Sequence, residues 1–311
     1  MNLNQAALKL LTQNLALKKG EKVIVVSDRK HCRVFDAVCK ATISMGGELT
    51  KIHITNKRMP SEPLPKLKNV FARSDVIIGI VDKSITHCPE VRIARKRHGA
   101  RAVTFVGVDE KLFLKAMKAD QKQIKKINNK LVKKLKRCKI VKIVTPAGTD
   151  VVFRMIKSSI GPDDGDSTKR GKLNNIPFGE VAVAPINIAN GTVAIDFSRI
   201  NVKQKDRVKV MIKNGKIIGW NNNIAKKFVD YLRKVDGERA LHVVELGFGT
   251  NPLHKKLIGK IIHDEKIWGS IHVAFGGFGN ARKCKIHEDV ILLRPTVYFD
   301  GKMVIRNGKI L

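Results

Sequence analysis

Residues 18–28 read KKGEKVIVVSD. A charged, glycine-containing turn leads into Val23–Asp28, a β-branched run too short for a helix and too apolar for an exposed strand. That is the pattern of a buried strand. Working outward, the same alternation of elements repeats. Upstream, Leu3, Ala7, Leu10, Leu11 and Leu15 recur at helical spacing over residues 3–17. Downstream, Val34–Ser44 reads as a helix that Met45-Gly46-Gly47 closes with a glycine cap. Glu48–Ile54 is a second strand, Val70–Arg73 belongs to a further helix, and DVIIGIVD (75–82) is a third strand. Pro89–His98 is helical and stops at Gly99, and ARAVTFVGV (100–108) is a fourth strand. Strands alternating with helices predict an α/β, doubly wound parallel sheet over residues 1–140.

From about residue 139 the rhythm changes. KIVKIVTP, DVVFRM, GEVAVAP, TVAIDFS, VKVMIKNGKII and TVYFDGKMVIRNGKI follow one another with a single long helix between them, Asn223–Val235. Asn214-Gly215 and Asn307-Gly308 mark tight hairpins. Residues 141–311 therefore read as an α+β domain rich in antiparallel strands. Ser158–Asn175 is polar and glycine-rich and reads as a mobile loop.

With 43 % hydrophobic and 28 % charged residues, the 311-residue chain has a globular composition. No apolar run approaches the roughly 18 residues of a membrane span. The first residues are too polar for a signal peptide, so the expected compartment is the cytoplasm. Cys32, Cys39, Cys88, Cys138 and Cys284 form no C-x2-C pair, and reduced thiols are expected. Lys and Arg total 61 against 27 acids, a formal charge of +34. Such a field attracts nucleic acid without a dedicated site. The lysines are nevertheless spread along the chain, densest at Arg92–Arg101 and Lys111–Lys142, where Ile124, Ile127, Leu131 and Leu135 outline a helix. Aromatics at 5 % are thin for base stacking. Neither a dinucleotide G-x-G-x-x-G nor a phosphate-binding G-x-x-x-x-G-K-[ST] occurs.

The chemistry concentrates in the second half. NIPFGEVAVAP carries Glu180, HVVELGFGTNP carries Glu245 before a glycine-rich turn, and HDEKIWGSIHVAFGG carries Glu265 and His272. IHEDVILLRPTVYFDG carries His287 and Asp289, and TPAGTD carries Asp150. Residues two apart on a strand share a face. His287 and Asp289 can therefore serve one metal ion, with His272 from a neighbouring strand as a third ligand. Glu180 and Glu245 raise the set to five, enough for two ions sharing a carboxylate. Each stretch alone has a plain structural explanation. A histidine in IHVAF can be a core residue bonded to a carbonyl, and H-x-D arises by chance. Together they imply several buried charges, which need partners.

Taken in order, KKGEKVIVVSD, THCPEVRIARKRHGARAVTF, TPAGTDVVF, NIPFGEVAVAP, ANGTVAID, ELGFGTNP, IHVAFG, IHED and PTVYFDG resemble the aminopeptidase T/aminopeptidase S family of thermophilic metallo-aminopeptidases, over nearly the whole chain. The resemblance implies two metal ions held by Glu180, Glu245, His272, His287 and Asp289, with zinc, cobalt or manganese as occupants. It implies an enzyme that removes N-terminal residues from small peptides, with Glu180 or Glu245 helping to move the proton, and a homodimer. The chain departs from that family between His272 and His287. The stretch is short, and the family's catalytic tyrosine is absent, since the chain has only Tyr231 and Tyr298. Arg282 or Lys283 could stabilise an oxyanion instead.

Two other readings stand beside the hydrolase. Some relatives of this fold resemble ring-cleaving dihydroxypyridine dioxygenases, which hold one non-haem iron with two histidines and an aspartate. His272, His287 and Asp289 would suffice for that. The other reading is a non-catalytic protein whose basic surface binds RNA.

Overall fold

Four runs rich in β-branched residues become the parallel sheet expected of them. The computed structural model describes residues 1–155, 158–184, 186, 188–200, 202–277 and 284–311. In it β1 (Lys22–Ser27), β2 (Glu48–His53), β3 (Val76–Val81) and β4 (Arg101–Val106) pair in parallel in the order β2-β1-β3-β4. β3 is buried at every position, which is why VIIGIV shows no polar alternation. Ile24, Val26, Ile77 and Val81 share one core with Phe71, Val91 and Ala102. The first helix, α1 (Leu3–Lys9), continues through a π-helical turn, Leu10–Asn14, and buries Ala6, Ala7, Leu10 and Leu11. α2 (Arg33–Ser44) ends before Gly46, whose φ of 76° a side chain would resist. α3 (Lys68–Ala72), α4 (Pro89–Ile93) and α5 (Glu110–Met117) complete the helices of this unit, with Gly99 the left-handed cap beyond a π-helical extension of α4.

The polar segment 158–175 is a loop only in its middle, residues 164–172. It holds two strands, β7 (Ser159–Asp163) and β8 (Leu173–Asn175), and β8 adds to the parallel sheet beside β4. Between them, Asn174 Oδ1 accepts from the backbone N–H groups of Asp164 and Gly165, and Asn174 Nδ2 donates to Ser167 Oγ, each at 3.0 Å. Ser167 Oγ donates in turn to Ala102 O at 2.9 Å. Asp164, Ser167 and Asn174 are all buried. Exposed turns use the same residue types for the same hydrogen bonds, so composition could not separate the two cases.

The chain divides into two compact units, 1–125 with 163–178, and 126–162 with 179–311. This differs from a split at residue 140. The change of unit falls inside α6 (Gln121–Leu135), and the β8 segment returns to the first unit. The second unit carries a large antiparallel sheet. Its strands are β5 (Ile140–Val144), β6 (Asp150–Arg154), β9 (Glu180–Ala184), β10 (Ile188–Ser198), β11 (Val202–Lys213), β12 (Lys216–Trp220), β13 (Val243–Gly249), β14 (Ile271–Gly276), β15 (His287–Leu292), β16 (Thr296–Phe299), β17 (Lys302–Arg306) and β18 (Lys309–Ile310), with β7 at one end. The order is β18-β17-β16-β5-β6-β10-β15-β14-β13-β9-β7, with β11 and β12 branching from β10. Asn214-Gly215 and Asn307-Gly308 have positive φ at both positions, as their tight hairpins require. α7 (Asn223–Asp236) packs Phe228 edge-on against Phe275 of β14, ring centroids 6.2 Å apart. A short α8 (Ile261–Asp264) precedes β14. No helix among the described residues is long and apolar enough to cross a membrane.

Candidate metal centre

The sheet order β15-β14-β13-β9 sets the four strands that carry the candidate ligands side by side. Register then aligns their side chains. Glu245 pairs with Ala274, and Ala274 with Asp289, which makes one row across three strands. One step along, Gly247 pairs with His272, and Gly249 pairs with Glu180. Directly opposed residues point to one face, as do residues two apart. Glu180, Glu245, His272, His287 and Asp289 therefore all project from the same side of the sheet. Gly247, Ala274 and Gly276 lie among them on that face, and Ile291 stands opposite His272 at its edge.

The side chains come close in two groups joined by His272. Glu180, Glu265 and His272 offer donor atoms within 4.8 Å of one another, and so do Glu245, His287 and Asp289. His272 Nε2 stands 3.5 Å from Glu180 Oε2 and 3.6 Å from Glu245 Oε1, and His287 Nε2 stands 3.3 Å from Asp289 Oδ1. These gaps exceed the roughly 2.7–2.9 Å of a charged hydrogen bond. They approach the spacing of two atoms sharing one ion, since donors about 2.1 Å from a metal lie about 3.0–3.4 Å apart. Glu180 Oε2, His272 Nδ1 and Asp289 Oδ1 are buried and meet no well-formed hydrogen bond. Buried polar atoms of this kind are costly unless a further partner arrives. Nitrogen and carboxylate donors without a thiolate suit iron, manganese or zinc.

Charge is out of balance in the same place. Burial opposes protonation of both imidazoles, but the carboxylates around them prevail. Glu245 and Glu180 push His272 up to about 9, and Asp289 pushes His287 up to about 9. Burial likewise resists ionisation of Asp289, yet His287 holds it well below the usual carboxylate range. Glu245 is lowered against burial by His272. Glu265 goes the other way. Burial raises it to about 7, countered by Lys266 and reinforced by Glu180 and Asp289.

Several residues here lie outside the sequence expectation. Lys266 has no exposed surface, and its Nζ lies 2.7 Å from Glu180 Oε1 and 2.8 Å from Glu265 Oε1. Behind the H-x-D pair, fully buried Glu288 accepts from Ser198 Oγ at 2.8 Å and Arg199 Nε at 2.6 Å, while Arg199 Nη2 donates to His287 O at 2.8 Å. Asn128 of α6 donates to Glu180 O at 2.9 Å and accepts from Thr250 Oγ1 at 2.6 Å. The Gly-rich stretch after Glu245 is the rest of β13 rather than a turn. Asp150 stays apart from the centre, exposed on β6 and 3.5 Å from Lys142. Tyr231 is exposed on α7 and Tyr298 lies on β16. Arg282 and Lys283 fall outside the described residues. Cys32, Cys39, Cys88, Cys138 and Cys284 are all free thiols.

A family model for NicX, 2,5-dihydroxypyridine 5,6-dioxygenase, matches residues 3–311. The chain belongs to this dihydroxypyridine dioxygenase family. Among solved structures, the 2,5-dihydroxypyridine dioxygenase of Pseudomonas putida superposes with a TM-score of 0.84 at 16 % identity, covering 99 % of this chain and 96 % of that one. AmpT of Thermus thermophilus superposes with a TM-score of 0.68 at 15 % identity, covering 100 % and 99 %. No curated protein matches in sequence. At such identities both likenesses speak to the fold. The resemblance to aminopeptidases T and S thus holds as a shared fold, and the family is that of the dioxygenases. What the two have in common with this chain is the fold, and hydrolysis finds no support beyond it.

Proposed function

We propose that this chain is a mononuclear non-haem iron dioxygenase that opens a dihydroxypyridine-type ring, with His272, His287 and Asp289 as the ligands of one ion. The observation that carries the reading is this donor set, two imidazoles and a carboxylate on neighbouring strands, in a chain of the dihydroxypyridine dioxygenase family. Such a triad leaves coordination positions open on one side. Iron(II), when bound, supplies the redox chemistry that lets dioxygen react with an aromatic ring. The protein's own residues do the rest. Asp289 and Glu245 bring negative charge to the ion. Gly247 gives the His272 imidazole the space it occupies against β13. Glu245 is 23 % exposed, the most open carboxylate of the group, and in this reading it would accept the proton of a ring hydroxyl.

The test is anaerobic reconstitution with Fe(II), followed by 2,5-dihydroxypyridine and air. One iron per chain, oxygen uptake and loss of the ring's ultraviolet band are expected. The competing aminopeptidase reading draws on Glu180, which adds a fifth donor beside His272. Release of amino acids from unblocked peptides by a two-ion protein, with no oxygen uptake, would reverse the assignment.

A further inference from the structure

Two donor groups of similar density lie side by side, yet they differ in one respect. The Glu180–Glu265–His272 group already contains a cation, the ammonium of Lys266. The Glu245–His287–Asp289 group has no lysine or arginine within ion-pair distance among the described residues. We propose that Lys266 is a built-in substitute for a second metal ion, and that it sets this centre to one ion rather than two. The proposal rests on the reading of the centre as metal-binding.

The geometry supports a fixed cation. Lysine side chains at protein surfaces stretch their ammonium to water. Lys266 has no exposed surface, so its ammonium is held by the carboxylates and cannot swing out to make room. It engages Glu180 and Glu265 through one oxygen each, which ties both carboxylates into a cradle for Nζ. A divalent ion added to the same group would sit within a few ångströms of that ammonium, in a buried place where like charges are poorly screened. His272, which faces both groups, is then left to the Glu245–His287–Asp289 side. Without the ammonium, Glu180, Glu265 and His272 would be three buried donors within reach of one ion, and two carboxylates would lack their cation. Metal count in this fold would thus be decided by one side chain outside the ligand set.

The experiment is titration of the metal-free full chain with Mn(II), with bound ion counted by equilibrium dialysis and ion proximity read by electron paramagnetic resonance. The wild type should bind one Mn(II) with an isolated-ion spectrum. Lys266→Ala should bind two, with the spectrum of a coupled pair, and Lys266→Arg should bind one. Lys266→Ala/Glu265→Gln should return to one. A folded Lys266→Ala protein that still binds one ion overturns the proposal and leaves the metal-centre reading intact, as does a wild type that binds two. A wild type that binds none overturns the metal-centre reading itself, and this proposal with it. Should Lys266→Ala unfold when stripped of metal, refolding that needs one equivalent more than the wild type is the expected result. Failure to refold with any amount of Mn(II) counts against the idea.

Discussion

His272 lies flat against the bare backbone of Gly247. The two residues oppose each other on β14 and β13, and a Cβ built on Gly247 would stand 1.9 Å from His272 Cε1 and 2.0 Å from Nε2. Gly247 has no unusual φ, so its lack of a side chain serves space rather than backbone freedom. Gly247→Ala should therefore displace the imidazole while the strands keep their pairing. We expect a loss of about 1–3 kcal/mol in stability and a fall in metal affinity of at least about tenfold. Far-ultraviolet circular dichroism and metal titration check both. Unchanged affinity would mean that His272 is no ligand.

Protons and metal should compete for the centre. With no ion bound, His272 and His287 titrate at about 9, so both carry protons at pH 7. A metal ion needs neutral imidazoles, and binding at pH 7 should release about one to two protons per ion. Affinity should rise with pH up to about 9. The stability of the metal-free protein should move in the opposite direction. Both histidines have raised pKa values in the folded state, so their contribution is complete below the unfolded value of about 6.5 and is lost as pH rises through 9. Calorimetry in buffers of different ionisation enthalpy reads the protons, and thermal melts of chelated protein from pH 6 to 10 read the stability. A metal affinity that is flat with pH would show that the two imidazoles are not ligands.

Asn128 offers a test of how the Glu180 strand is held. Its helix shows an apolar stripe at Ile124, Leu131 and Leu135, and Asn128 falls within it, fully buried. It joins the Glu180 carbonyl to the Thr250 hydroxyl. Asn128→Leu would leave both groups buried without this partner, at a cost of about 2 kcal/mol. Denaturant unfolding should show the loss as a lower midpoint with an unchanged slope. Thr250→Val added to the same protein should recover part of it.

These cases separate what the sequence makes visible from what it hides. β1 and β3 are legible because a strand buried on both faces is apolar throughout, and Gly46 and Gly99 mark helix ends because the chain there must turn left-handed. His287 and Asp289 are legible because alternation is strict on a strand, and an ionisable pair amid apolar residues stands out. Lys266 is not. Among 61 basic residues one more lysine carries no signal, and its burial follows from tertiary packing that no local period encodes. Gly247 reads as a turn residue because glycine usually signals backbone freedom, whereas here it signals an absent side chain. The 158–175 segment fails for the same reason, since hydrogen bonds over a distance turned polar residues inward.

Arg199 pairs with a carboxylate behind the His287–Asp289 pair. Fully buried Glu288 sits between His287 and Asp289 in sequence and points to the opposite face of β15, where Arg199 neutralises it. Burial raises the Glu288 pKa, and Arg199 restrains that rise. Arg199→Ala removes a charged hydrogen bond, with a further contact to the His287 carbonyl, and leaves a buried carboxylate without its cation. Because Arg199 is itself 46 % exposed, water can enter and soften the loss, so we expect about 2 kcal/mol at pH 7 rather than the full cost of a sealed ion pair. The sign with pH follows from the raised pKa. An acid favoured as its neutral form in the fold destabilises once it ionises. The deficit should therefore be small at pH 4 and grow as pH climbs past the unfolded carboxylate value. Arg199→Ala/Glu288→Gln should recover most of the stability at pH 7, because Ser198 can still bond a neutral amide. Denaturation of the three proteins at pH 4 and pH 7 measures this. An equal deficit at both values would assign Arg199 to packing rather than to charge.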